Sequence, residues 1–185
     1  GLFILIKQTY VASIIIVVLW IFARVASAQG MYMVTEEFLG IAFSGDEPVI
    51  KTLWITDELR GPIEEILGHS FNALRVRYWE SGNRTAWIID EIGKEKPITI
   101  GVLIQAQVVD MVRVLEFREI RGWEVRYPFF TDQFNGARFI NSGESRNQML
   151  NRQVDGITGA TLSVGAVTRV VKVALYLSEQ VGAPT

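Results

Sequence analysis

The chain has 185 residues, 49% of them apolar, with 18 basic against 20 acidic side chains, one histidine and no cysteine. Those counts exclude disulfides, thiolate metal sites and cysteine-linked cofactors, and a lone His69 excludes a multi-histidine metal or haem centre built by this chain alone. The balance is slightly acidic with no basic stripe, which excludes nucleic acid as an expected partner, while the missing cysteine suits an oxidising compartment.

Taken from the start, Tyr10 to Ala23 is uncharged, and Leu2 to Ile6 extends the apolar run with only Lys7 and Gln8 intervening. Counted through Ala28, the segment is close to the roughly 20 residues that cross a bilayer. Tyr10 and Trp20 are residues that sit near a membrane interface. Two readings stand side by side: a single transmembrane anchor over 1–28, or a signal peptide with Lys7 as its basic flank and Ala26-Ser27-Ala28 as its small-residue end. Of the two, the anchor is the expectation for 1–28. Either sends the rest of the chain across a membrane, but Lys7 and Arg24 lie on opposite sides of the run and do not fix its direction. Because the first residue is Gly1 and not Met, a few residues are expected upstream.

From Gln29 on there are 157 residues, with 16 basic and 20 acidic side chains. That is enough for one domain with its own core, expected over 29–180 and followed by a short tail, 181–185. Glu36 to Ala42 reads as a short helix. Thr56 is a natural N-cap for a second, with Leu59, Ile63, Ile66 and Leu67 on one face and Gly68 to end it; His69 then falls at a helix end or in a loop. Four strands follow: Leu74 to Tyr78, Thr85 to Glu91, Ile98 to Gln107 and Val108 to Phe117. Ser81-Gly82-Asn83 and Gly93 to Pro97 are turns, whereas nothing obvious separates the last two strands. Next comes an aromatic stretch, Trp123, Tyr127, Phe129, Phe130 and Phe134, broken by Gly122 and Pro128. Strands grouped between helices predict an α+β domain built on an antiparallel sheet packed by helices. No strand, Gly-rich loop and helix occur in succession, which argues against a Rossmann nucleotide site.

The most specific signal lies near the end: Asp155-Gly156-Ile157-Thr158-Gly159-Ala160-Thr161. Five positions fit Asp-x-x-[Ser/Thr]-Gly-Ala-[Ser/Thr], a pattern expected by chance in about one chain of this length in a thousand. After it, Val164, Val167, Val171, Ala174 and Leu175 recur at helical spacing, with Ser163, Arg169, Lys172 and Tyr176 among more polar positions. Thr161 stands at the expected N-cap, and Gly159 allows a sharp turn before it. A helix start offers free N–H groups and the positive end of the dipole, both suited to a phosphate. Gly159 and Ala160 leave room for such a group to approach the backbone. A carboxylate at Asp155 would repel a phosphate, so a turn, a backbone hydrogen bond or recognition by a modifying enzyme suits it better. A capped helix after a Gly turn would by itself account for Thr158 to Thr161.

With that heptapeptide the chain resembles the FMN-binding domain family, known from the G subunit of Rnf and the C subunit of the sodium-pumping NADH:quinone oxidoreductase. The resemblance is strong over Val154 to Val171, weaker from Ile98 to Gly136 and absent from Gln29 to Arg84. It implies that a flavin transferase esterifies the FMN phosphate to the hydroxyl of Thr161, with Asp155, Thr158, Gly159, Ala160 and Leu162 around it. The family's Glu-Thr-Pro-Gly-x-Gly pattern survives in Glu119-Ile120-Arg121-Gly122 only as Glu119 and Gly122. Trp123 is our own candidate for stacking on the flavin, Arg121 and Arg126 are candidates to offset phosphate charge, and Phe129, Phe130 and Phe134 fit ordinary core as well.

No catalytic side chains and no metal ligands are expected. The implied role is a membrane-anchored electron-transfer flavoprotein of a bacterial inner membrane, its globular part in the periplasm, where the family's transferase works. Quinone, haem or iron–sulfur proteins of the membrane would be its redox partners. A flavin-dependent reductase of a small soluble acceptor, and a non-redox interaction subunit of a membrane complex, are the alternatives.

Overall fold

In the computed structural model the chain divides into two compact units, Gly1–Met31 and Tyr32–Thr185. Residues 30–140 and 149–182 are described. The predicted anchor over 1–28 lies outside them, as does the end of the predicted tail.

Within the second unit, α1 (Thr35–Phe43) leads to β1 (Val49–Trp54), α2 (Asp57–Leu67) and four further strands, β2 (Arg75–Ser81), β3 (Arg84–Ile92), β4 (Pro97–Gln105) and β5 (Val108–Phe117). The five strands form one antiparallel meander in the order β1-β2-β3-β4-β5. After β5 come a 3₁₀ turn (Trp123–Arg126), the single-turn helix α3 (Pro128–Thr131), a second 3₁₀ turn (Asp132–Phe134) and finally the long helix α4 (Thr161–Gly182). The expected α+β class with an antiparallel sheet is therefore what the globular part adopts.

Both faces of the sheet are covered at its centre, which explains the sequence of β4. Ile98, Ile100, Val102 and Ile104 enter the larger core with α2 and α4, while Leu103 joins Phe38, Ala42, Phe43, Ala86, Met111 and Leu115 under α1. A strand buried on both sides needs apolar residues at consecutive positions, and the alternation that marks a half-exposed strand disappears. Gly101 is the exception with a reason. A Cβ there would lie 2.8 Å from the Phe38 ring, so the missing side chain is what lets α1 settle on the sheet.

The main core is organised around Trp87, which stacks on its cross-strand partner Tyr78 with centroids 4.7 Å apart. Its indole N–H donates to Thr85 Oγ1 at 3.0 Å, and that hydroxyl lies 3.1 Å from Ser178 Oγ on α4. Buried polar atoms thus pair with each other across the sheet–helix interface, as they must when water is absent. α4 is long and apolar enough to cross a bilayer, yet most of it is buried against the sheet and α2. It is the core helix of the domain. Val167, Val170, Val171, Ala174, Leu175 and Leu177 are fully or almost fully buried; each Val or Leu so placed contributes about 1.5–3 kcal/mol.

Three expectations need correction. Ser163 and Tyr176, assigned to the polar side of the last helix, are 4% and 8% exposed, because α4 is flanked by α2 and the Gly122 loop as well as by the sheet. Phe130 and Phe134 are core, with an edge-on contact at 5.6 Å, but Phe129 is 62% exposed. Strand β1 was not expected: it lies at the sheet edge with Val49, Ile50 and Trp54 exposed, so no buried alternation announces it. The unmarked turn between the last two strands is Ala106-Gln107, two residues with φ of 50° and 64°. Positive φ at both central positions matches the twist of a two-residue hairpin, although neither residue is one that favours it.

Gly101→Val should destabilise the fold by about 1–3 kcal/mol through overpacking against Phe38. Urea denaturation would measure this, and Phe38→Leu in the same chain is expected to recover part of the loss.

Candidate functional site

Three segments meet at the start of α4: the turn from Gly93 to Lys96 between β3 and β4, the stretch Glu119 to Gly122 after β5, and the first turn of the helix. They enclose a cavity of about 530 Å³, within the range of small-molecule sites. Lys94, Lys96 and Arg121 line it together with Glu95, Glu119, Ile120, Gly159, Thr161 and Leu162.

The helix begins one residue earlier than expected. Ala160 carbonyl accepts the Val164 N–H at 2.9 Å, which makes Ala160 the cap residue and Thr161 the first helical one. The cause is packing. Gly159 turns the chain at φ 81°, the Ala160 N–H closes that turn on Ile157 carbonyl at 3.0 Å, and the Ala160 methyl is buried at 3% exposure. Ala160 therefore points inward and does not clear space for a ligand with its side chain; the open space is at Gly159, where a Cβ would meet nothing. Thr161, displaced from the cap, is exposed on the cavity side.

Gly122 seats this turn. With φ of 86° it occupies a conformation that other residues enter at a cost, and a Cβ would lie 2.5 Å from Ser163 Oγ and 3.5 Å from Ala160 Cβ. The glycine backbone is the surface against which the first turn of α4 rests. Trp123 follows directly but stands outside the cavity lining: 39% exposed, it meets Tyr127 edge-on at 5.8 Å, and the Arg126 guanidinium lies 5.1 Å from its ring centroid. Thr158 and Asp155 are exposed in the preceding loop and are likewise not part of the lining. The Asp155 N–H donates to Gln133 Oε1 at 2.7 Å, a bond that does not involve its carboxylate.

Glu119 is one of two carboxylates in the lining, with Glu95, beside three cations. Its Oε1 accepts the N–H groups of Lys94, Glu95 and Lys96 at 2.6, 2.6 and 2.9 Å. Partial burial works against its charge, but these three donors, joined by the Lys96 ammonium, outweigh that and hold its carboxyl below the usual value. The carboxylate is thus turned onto the backbone of the β3–β4 turn and fixes it, and of the remaining lining charges Lys94, Lys96 and Arg121 outnumber Glu95, whose carboxylate lies 3.7 Å from the Lys94 ammonium.

Residues 93–176 match the family model of the FMN-binding domain. This stretch of the chain belongs to that family. Every residue named above as lining the cavity lies inside the match, which supports FMN as the cofactor of this stretch. Comparison with the curated proteins finds none that matches.

The residues fit the FMN phosphate on three counts: unpaired N–H groups at the helix start, the positive end of the α4 dipole, and the lysines opposite. Lys94 and Lys96 were the part hidden in the sequence, read there only as a turn between strands. Their spacing on either side of Glu95, with a glutamate to bind their N–H groups, carries no meaning until β5 brings Glu119 to them.

A carboxylate whose folded value is lowered stabilises the fold above its unfolded value, and that contribution is lost as pH falls through the lowered one. Stability of the chain, followed by urea denaturation in steps down through the carboxylate range, should fall with a component that Glu119→Gln removes.

Proposed function

We propose that this flavoprotein carries FMN esterified through its phosphate to Thr161 and relays electrons within or beside a membrane redox complex. The observation that carries the reading is the Thr161 hydroxyl: exposed, released from capping by Ala160, and set at the cationic mouth of α4. An ester there joins the Thr161 oxygen to phosphorus with net loss of one water, the step that a flavin transferase would perform. The bound group supplies one- and two-electron transfer; the protein supplies position and electrostatics. Of the two lining carboxylates, Glu119 is committed to backbone N–H groups and Glu95 lies 3.7 Å from the Lys94 ammonium. That supports a relay over a reductase of a small soluble acceptor.

The apolar segment over 1–28 supports a single-pass anchor in a bacterial inner membrane, with the FMN-binding domain in the periplasm. An ester suits such a compartment, where a lost cofactor would not be replaced from a pool. The anchor would keep the flavin beside quinone, haem or iron–sulfur partners of the membrane.

In protein isolated from its native host, mass spectrometry of the peptide containing Thr161 should show the mass of FMN less one water. Thr161→Ala should abolish flavin fluorescence of the denatured chain on a gel. Fluorescence that persists in that variant places the link on another residue, and unmodified Thr161 in native protein overturns the covalent reading.

A further inference from the structure

Glu91 ends the buried part of β3, two residues before the turn that presents Lys94 and Lys96. Its side chain is only 2% exposed, and a carboxylate so deeply buried needs partners to stay charged. It has two. Arg169 on α4 reaches Glu91 Oε1 through Nε at 2.9 Å and Nη2 at 2.7 Å, and Nη2 also donates to the Ile92 carbonyl at 3.1 Å. His69, in the loop after α2, places Nε2 3.1 Å from both carboxylate oxygens and Nδ1 3.0 Å from the Ser70 carbonyl. Both ring nitrogens face acceptors, an arrangement that only the doubly protonated ring satisfies in full.

The position of this cluster is what gives it a role. The Arg169 side chain folds back over Gly165, where a Cβ would lie 3.3 Å from Nη1, and so runs towards the end of α4 that carries Thr161. Its targets, Glu91 and the Ile92 carbonyl, lie immediately before Gly93. One guanidinium therefore joins the helix to the strand end that becomes the lysine-bearing turn. Glu119 holds the same turn from the other side. The two walls of the cavity are tied to each other at its back.

We propose that Arg169 and Glu91 are positioning residues for phosphate recognition: their ion pair, buttressed by His69, sets the distance between the start of α4 and the Lys94 and Lys96 ammonium groups. Neither side chain lines the cavity, so the pair acts through the turn. Glu91 and His69 also precede residue 93, where the FMN-binding domain match begins. The front part of the chain thereby takes part in the site. This rests on the reading that the cavity receives the FMN phosphate.

The test compares FMN with riboflavin, which has the same ring and no phosphate, binding to the unmodified full chain by quenching of flavin fluorescence. Wild type should prefer FMN. In Arg169→Gln and in Glu91→Gln, FMN affinity should drop by roughly ten-fold, the worth of one charge-assisted hydrogen bond, while riboflavin affinity stays within about two-fold. Arg169→Lys, which keeps the charge but not the fork, should recover part of the preference. Thermal unfolding of each variant separates loss of fold from loss of positioning, and Glu91→Gln is close in shape to the native residue in case Arg169→Gln does not fold. If folded variants weaken both ligands alike, or neither, the strut is only structural and the inference fails. If wild type itself does not distinguish FMN from riboflavin, the phosphate reading of the cavity fails instead.

Discussion

The site depends on one contact, the seating of the first turn of α4 on the backbone of Gly122. The Gly122 Cα leaves no space for a side chain beneath Ser163 and Ala160, and this fixes both the height and the rotation of the helix start. Successive helical residues point about 100° apart, so a slip of one position would exchange the buried Ala160 for Thr161. The hydroxyl would then face the core and Leu162 would take its place at the cavity. The pattern Gly-Ala-Thr can be understood in these terms: a turn that only glycine enters easily, a methyl small enough to be buried against another glycine, and then the first residue free to point outward.

The electrostatics of the cavity follow from how one carboxylate is used. Glu119 beside a phosphate looks unfavourable as a charge count, since like charges a few ångströms apart repel. Its Oε1 is instead shared by three consecutive N–H groups of the β3–β4 turn. The negative charge is compensated locally by oriented backbone dipoles, while the side chains of the same turn are free to bear positive charge. A single residue therefore shapes the turn and leaves the cavity's cationic character to the lysines it holds in place.

Much of this was legible in the sequence, and the reasons for the rest are specific. The central strands and α2 announce themselves because burial dictates their periodicity, and Gly68 ends α2 in the left-handed conformation that its type suggests. The heptapeptide pointed to the start of α4, where Gly159, Ala160 and Thr161 line the cavity while Asp155 and Thr158 do not. Strand β1 was silent since an edge strand with exposed Val49, Ile50 and Trp54 has no buried face to set a period. The Ala106-Gln107 turn was silent because the expected glycine or asparagine is absent, and the Gln107 amide instead donates to the Ser178 carbonyl at 3.1 Å. Ser163 and Tyr176 misled because polarity was taken for exposure on a helix that is covered on more than one side. The cavity's lysines could not be found from local pattern, as they acquire meaning only when Glu119, some 25 residues away, binds their backbone.

An ester link, in the proposed reading, changes what the protein must do for its cofactor. A site that relies on affinity alone has to enclose the ligand and bury most of its surface. A site that holds the cofactor by a bond is relieved of that demand and is left with a different one, to keep the attached group in a defined orientation towards its redox partners. Under that proposal, the second demand is the one this architecture suits. Thr161 is exposed, Gly159 opens onto free space, and Ile120 and Leu162 at the rim are largely solvent-facing. Close packing and paired charge are found around the opening, in the Gly122 seat, the Glu119 carboxylate and the Glu91–Arg169 pair, whose carboxylate is buried. Such a division places the ordered groups where they set geometry and leaves the mouth accessible, as electron exchange with a partner requires.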